Sequence, residues 1–289
     1  MRQFSEREGP QATIEEGMFF KLPPGENIVK DRLVEVDEEM NDSCFPRTSP
    51  SVVGWFEHEL RILDEIFTEY EVPYLADAGT LLGCVRHAGI IPWDDDVDVM
   101  ILPNHEHLLW DPKRRLVNPK INEEFRSYGL ELQPVWFGLK LVPMETYIPA
   151  FSRISREPHY KGGASYRWPF TDIYFSCFQG TGNRNIAYKA PLEQAAYPSF
   201  FHDTADVWPI ERMKFGTMHV NGPRNPIPYL DRAYRDWRKY ALMGMNHIEG
   251  SINANPVKVR LVDFCAGQAV FGEVERIQLQ IADYRITRC

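Results

Sequence analysis

At 289 residues, 44% of them apolar, the chain is long enough to bury a sizeable core as one large domain or two small ones. A formal net charge of -9 argues against a broad basic track for nucleic acid, which needs clustered Lys and Arg. No apolar run reaches the roughly 18 residues that a membrane-spanning helix requires. The cysteines Cys44, Cys84, Cys177, Cys265 and Cys289 stand far apart without a CxxC pair, which favours reduced thiols over a disulfide framework or a zinc knuckle.

Residues 1–50 are rich in Glu, Pro, Asp and Ser and read as an irregular N-terminal arm. Their opening, MRQFSEREGPQATIEEGMFF, lacks the basic-then-apolar order of a secretory signal, and the compartment stays open. Val53, Phe56, Leu60, Leu63 and Phe67 recur at three and four, which predicts an amphipathic helix over 52–70 with Ser51 as N-cap. Val72 to Ala76 reads as a short strand entering a glycine-containing turn, and Thr80 to Arg86 as a short helix. Pro92 fixes a bend, and Val97 to Leu102 is apolar enough for a buried strand. Helical pieces are expected at 104–110 and 120–127, and strand-like segments at 130–142, 148–154 and 169–178. Phe215 to Val220 with the Asn221-Gly222 pair predicts hairpin material. Pro226 to Met243 reads as a helix with Tyr229, Leu230, Ala233, Trp237 and Tyr240 on one stripe. The body of the chain is thereby placed at 51–245, and 246–289 is a C-terminal extension with weak alternation, expected to pack on it. No internal repeat is visible.

The stretch IPWDDDVDVM, residues 91–100, crowds Asp94, Asp95, Asp96 and Asp98 against an apolar strand. Side chains alternate along a strand, so Asp96 and Asp98 share a face opposite Val97 and Val99, and Asp94 joins them if the strand starts early. Like charges held this close repel, and a divalent cation reverses the sign. Hard oxygen donors of this kind suit Mg²⁺ or Mn²⁺, which usually also bind substrate phosphates. A calcium loop beginning at Asp94 would need Gly at position 99 and Glu at 105, where Val99 and His105 stand. A helical diphosphate-binding motif through Asp94, Asp95 and Asp98 is opposed by the valines and Pro92. An aspartyl nucleophile would have its apolar strand before Asp96, not after it. The bland alternative is a solvated acidic turn.

Gly79 and Thr80 follow the strand ending at Ala76, where a glycine turn lets backbone N–H groups approach a phosphate and the threonine adds a hydroxyl. Asp172, in FTDIYF, is the candidate third carboxylate, with an ordinary strand-end aspartate as its alternative and Asp77 as a lesser candidate. Arg86 serves either the acids and a phosphate oxygen or a structural ion pair. For His87 a structural hydrogen bond competes with a general-base role. Trp93 stacks on a base or plugs the core. Lys161, Arg167 and Arg212 are diphosphate contacts or surface residues.

YLADAGTLLGCVRH, residues 74–87, running into GIIPWDDDVD, residues 89–98, closely resembles the LicD family, which includes bacterial phosphocholine transferases and animal fukutin and fukutin-related proteins. Asp172 resembles the family's later strand aspartate. VWPIERMKFG, residues 207–216, is similar to a "PL-x-x-x-x-F-x-G" region, and Pro226 to Trp237 to its closing segment, with Arg235 where glycine is usual. The resemblance covers about residues 55–240 and implies a nucleotidyltransferase fold, an α+β arrangement with a mixed sheet flanked by helices. It implies transfer of a phospho-alcohol, of the phosphocholine or ribitol phosphate kind, from a CDP-activated donor to a glycan hydroxyl, with release of CMP. On that reading Asp96, Asp98 and Asp172 are catalytic and hold Mg²⁺ or Mn²⁺, while Gly79, Thr80, Arg86, Trp93 and Asp94 bind substrate. A transferase of NMP from NTP to a small acceptor, or a non-catalytic glycan or nucleotide binder, would share these motifs. Neither the alcohol, the acceptor nor the oligomeric state is specified.

Overall fold

The computed structural model describes residue 48 and residues 50–144, 149–150, 166–167, 169–246 and 251–260. Most of the arm at 1–50, of the segment 148–154 and of the extension at 246–289 therefore lies outside the described residues. What is described is a mixed α/β arrangement, a sheet with helices.

Helix α1, Pro50–Glu69, starts on a proline, whose missing N–H costs nothing in a first turn. Ser51 consequently lies inside the helix instead of capping it. Phe56, Leu60, Leu63 and Phe67 form its buried stripe, and each such burial is worth about 1.5–3 kcal/mol. The chain leaves α1 through Glu71 at φ 53, with the Val72 N–H closing onto the Phe67 carbonyl. Strand β1, Tyr74–Ala76, leads into helix α2, Ala78–His87, which begins two residues earlier than the sequence reading placed it. The chain then turns through the acidic stretch into β2, Val97–Ile101. Residues 104–110 hold only a single 3-10 turn, Glu106–Leu108, followed by a short ribbon that pairs Trp110–Asp111 with Leu116–Val117. Helix α3, Pro119–Ser127, is capped by the Asn118 side chain on the Lys120 N–H.

The segment expected as strand over 130–142 is two strands, β3 (Leu130–Pro134) and β4 (Gly138–Pro143), hinged at 135–137. Strand β5, Thr171–Gln179, is the hub. It runs parallel to β2 with Asp98 opposite Asp172, and antiparallel to β4 with Lys140 opposite Asp172. Its far half pairs with β6, Asn185–Tyr188, which pairs in turn with β7, Phe201–Asp203. Short helices α4 (Pro191–Ala196) and α5 (Thr204–Val207) flank β7 in sequence.

The predicted hairpin exists as β8 (Glu211–Phe215) and β9 (Met218–Gly222), but its turn is at Gly216-Thr217, and Asn221-Gly222 lies inside β9. Gly216 has φ 57, and the Glu57 carboxylate accepts from the N–H and hydroxyl of Thr217, so α1 fixes where the chain reverses. The helix expected over 226–243 stops early. Helix α6 is Ile227–Ala233, the chain turns through Asp236 at φ 59, and Tyr240–Asn246 forms β10, paired with β11, Ser251–Arg260.

The sheet separates two apolar clusters. Val97, Val99 and Ile101 of β2 and Ile173 and Phe175 of β5 pack in the core formed with α1 and α3. The alternate residues face the other way, where Met100 and Tyr188 join Leu75, Leu102, Ile186 and Val207. Asp98 and Asp172, one position removed from the α1-facing valine and isoleucine, therefore project onto the face away from α1.

Candidate metal and phosphoryl-transfer site

Asp98 is gripped through its backbone. Its N–H donates to the Thr80 hydroxyl at 2.7 Å, and its carbonyl accepts from the Asp77 N–H at 3.1 Å. The first turn of α2 is thereby locked onto β2. The Thr80 hydroxyl, assigned to a phosphate from sequence, is buried and engaged in this contact. Asp77 is no member of the carboxylate set. One of its oxygens lies 3.0 Å from His202 Nε2 and the other accepts from the Tyr188 hydroxyl at 2.9 Å. His202 stacks on Tyr229 with ring centroids 4.1 Å apart, and the Tyr229 oxygen accepts from the Ala78 N–H. This buried network ties the start of α2 to β6, β7 and α6.

Asp96, Asp98 and Asp172, all buried, each bring an oxygen within 4.8 Å of the others. Asp94, Asp95 and Asp96 form a second group of the same dimension. The acidic turn is held from outside by Thr48, whose N–H donates to the Pro92 carbonyl and whose hydroxyl donates to that of Asp94. Gly79 makes room for this turn, since a Cβ there would sit 2.8 Å from Asp94 Oδ2 and 3.7 Å from Asp98 Oδ2. Burial pushes the Asp98 carboxyl well above the usual carboxylate range, and Asp96, Asp172, Asp94 and Asp77 push it further. Three buried hard-oxygen donors that disfavour one another's charge fit a small divalent cation.

Arg86 is buried near the end of α2. Its Nε donates to His87 Nε2 at 2.8 Å and a terminal nitrogen donates to the Trp237 carbonyl at 3.1 Å, while Trp93 lies 5.7 Å from its guanidinium. Burial lowers it to about 10, with Tyr234 and Asp94 opposing the shift. His87, buried beside that cation, is held well below its ordinary value by burial and then by Arg86, so its neutral ring serves as an acceptor. Trp93 sits edge-on to His87 and joins the α2–α6 cluster. Arg212 is spent on Asp64 of α1, with two contacts of 2.6 and 2.7 Å, so it is no diphosphate contact in this arrangement. Lys161 lies outside the described residues.

Several groups beside the acids were not singled out from sequence. Lys140 forms an ion pair with Asp172 and lies 3.4 Å from the Phe170 ring centroid. Tyr174 stacks on Phe137 with ring centroids 4.5 Å apart and lies tilted against Tyr188 at 4.6 Å. Burial, with the charges of Asp172 and Asp98, raises Tyr174, and burial with Glu193 and Asp98 pushes Tyr197 up to about 12. Both phenols stay protonated in the field of the acids.

Beneath the sheet, Glu59 of α1 is wholly buried. Neither of its oxygens makes a well-formed hydrogen bond, although groups of Trp55 and Thr171 face it. Burial raises its carboxyl well above the usual range, against those polar groups and with a smaller push from Asp172. The folded state thus keeps a proton that the unfolded chain releases. That contribution to stability is fully present below about pH 4 and is lost as the pH rises through the folded-state value. Glu59→Gln is therefore expected to lose less stability than wild type between about pH 5 and about pH 8 in urea titrations. Equal losses would show that Glu59 is ionised in the folded protein.

Cys84 and Cys177 are free thiols; the other cysteines lie outside the described residues. Among the described residues no helix is long and apolar enough to cross a membrane.

A family model described as "LicD/FKTN/FKRP, nucleotidyltransferase domain" matches residues 71–128, the segment carrying β1, α2, the acidic turn and β2. An uncharacterized protein of Rickettsia prowazekii (strain Madrid E) is 27% identical over 184 residues, covering 63% of this chain and 55% of that protein. One of Rickettsia typhi (strain ATCC VR-144 / Wilmington) is 27% identical over 188 residues, covering 63% and 46%. The chain thus spans about half the length of these relatives. A lipopolysaccharide cholinephosphotransferase, LicD, of Haemophilus influenzae is 36% identical over 75 residues, 25% of this chain and 26% of that protein. A crystal structure of ANT(2")-Ia in complex with adenylyl-2"-tobramycin aligns with a TM-score of 0.31 and 10% identity over 59% of this chain and 69% of that one, too loosely to bear on the fold. Residues 71–128 thus carry the segment that the LicD family model describes, and the match to the cholinephosphotransferase points to the same family.

Proposed function

We propose that the protein is a metal-dependent transferase of nucleotidyltransferase fold that moves a phospho-alcohol group from a CDP-activated donor to a glycan hydroxyl and releases CMP. The observation that carries this reading is the convergence of Asp96, Asp98 and Asp172 within 4.8 Å, two of them borne by the segment that matches the family. Mg²⁺ or Mn²⁺ held by Asp96 and Asp98, with Asp172 beside it, would neutralise charge on the donor diphosphate and on the departing CMP. The first turn of α2, with Gly79 and Thr80, offers its N–H dipoles to phosphate oxygens. An acceptor hydroxyl attacks the distal phosphorus and forms the new O–P bond, the bond to the bridging oxygen breaks, and CMP carries that oxygen away. Asp172 takes the hydroxyl proton. The Tyr174 phenol, on the strand that carries Asp172, stays protonated in the field of these acids.

The test is CMP release from a panel of CDP-alcohols, CDP-choline and CDP-ribitol among them, with and without Mg²⁺ and in the presence of glycan. Release that requires both Mg²⁺ and a CDP-alcohol is the expected result. Pyrophosphate release from CTP in its place would assign nucleotidyl transfer, and no turnover of any donor would leave a binding protein.

A further inference from the structure

We propose that Lys140 is a built-in positive charge standing where a second metal ion would otherwise go, so that the site takes one divalent cation at Asp96 and Asp98. The inference rests on the metal-dependent reading above and deepens it. Asp172 sits mid-sheet with different neighbours on either edge of β5. In register on β2 is Asp98, and in register on β4 is Lys140. The ammonium pairs with Asp172 Oδ1, and both side chains are only 7% exposed. Phe170 lies 3.4 Å and Phe137 5.6 Å from that nitrogen, so aromatic faces hold the charge where it is. The pairing is therefore a fixed part of the strand layer and not a surface contact that opens in water.

Two consequences follow from charge and geometry. One Asp172 oxygen is occupied by an N–H donor, and a second divalent ion bridging to that oxygen would meet an ammonium in a medium that screens poorly. Three carboxylates with one ammonium also leave a net charge of about -2 in the cluster, which a single divalent ion neutralises. Lys140 acts in this scheme as a positioning residue, aiming Asp172 and setting its charge without touching substrate.

Mn²⁺ itself is the probe, counted on the full chain by electron paramagnetic resonance of the free ion. Wild type is expected to bind about one equivalent, Lys140→Arg the same, and Lys140→Met, which keeps the stem and loses the charge, a second equivalent at comparable concentration. Circular dichroism establishes that each variant folds; should Lys140→Met not fold, Lys140→Gln takes its place in the count. Two equivalents on wild type, or only one on a folded neutral variant, overturns the role given to Lys140. No Mn²⁺ on wild type, or Mn²⁺ retained by the Asp96→Asn, Asp98→Asn double variant, overturns instead the metal reading on which it rests.

Discussion

Asp98→Asn is expected to lower turnover by about 10³-fold or more while leaving the metal-free protein as stable as wild type or more so. Both halves of that result come from the same surroundings. Asp98 is buried, and burial, Asp96, Asp172, Asp94 and Asp77 all oppose its ionisation. Removing the charge relieves that repulsion when no cation is present. The backbone grip of Thr80 and Asp77 on Asp98 does not involve its side chain, so the strand keeps its place. What disappears is the benefit of the cation. Thermal melts should show Mg²⁺ raising the wild-type midpoint and not the variant's, because an ion that binds only the folded state stabilises it in proportion to its occupancy. A variant that unfolds more easily without metal, or that keeps wild-type turnover with it, would remove Asp98 from the ligand set.

The second large effect is on stability. Gly83→Ala is expected to cost on the order of 2–3 kcal/mol, because the new Cβ would lie 2.4 Å from the Gly89 carbonyl oxygen, a backbone atom that cannot swing aside. The same carbonyl region closes the end of α2, where the Ala88 and Gly89 N–H groups both donate to the Gly83 carbonyl. Gly79→Ala makes the matched contrast. Its Cβ would meet the far end of Asp94 at 2.8 Å, and that carboxylate can rotate. It should fold at nearly wild-type stability and lose about tenfold in turnover, as a displaced active-site group does. Urea midpoints for the two variants decide the matter. Equal stability of both would mean that the α2–loop packing is looser than 2.4 Å implies.

How far the sequence reveals this site depends on how each residue reaches it. Asp96 and Asp98 were legible because a period of two beside Val97 and Val99 assigns faces without any tertiary knowledge. Asp172 was legible only through its own strand pattern and its resemblance, since no local rule links it to Asp98. Lys140 was not legible: in GLKLVP it reads as the ordinary polar step of an alternating strand, and only the register with β5 puts it against an acid. Glu59 carries a signal in the sequence, a charge beside Phe56 and Leu60 on the apolar stripe of α1. The misplaced hairpin turn has a comparable origin. Two glycine-containing pairs stood close together, and the choice fell to Glu57, far away in sequence, which holds Thr217. The apolar spacing of α6 continues past its end at Ala233, because Trp237 still packs beside Tyr229 and Leu230 although the chain has already turned.

The parallel pairing of β2 with β5 has an evolutionary corollary. Hydrogen bonding between neighbouring strands, and not the count of residues between them, decides that Asp98 and Asp172 meet. The residues between β2 and α3 belong to neither strand, and that register does not depend on their number. Insertions there would leave Asp98 and Asp172 side by side.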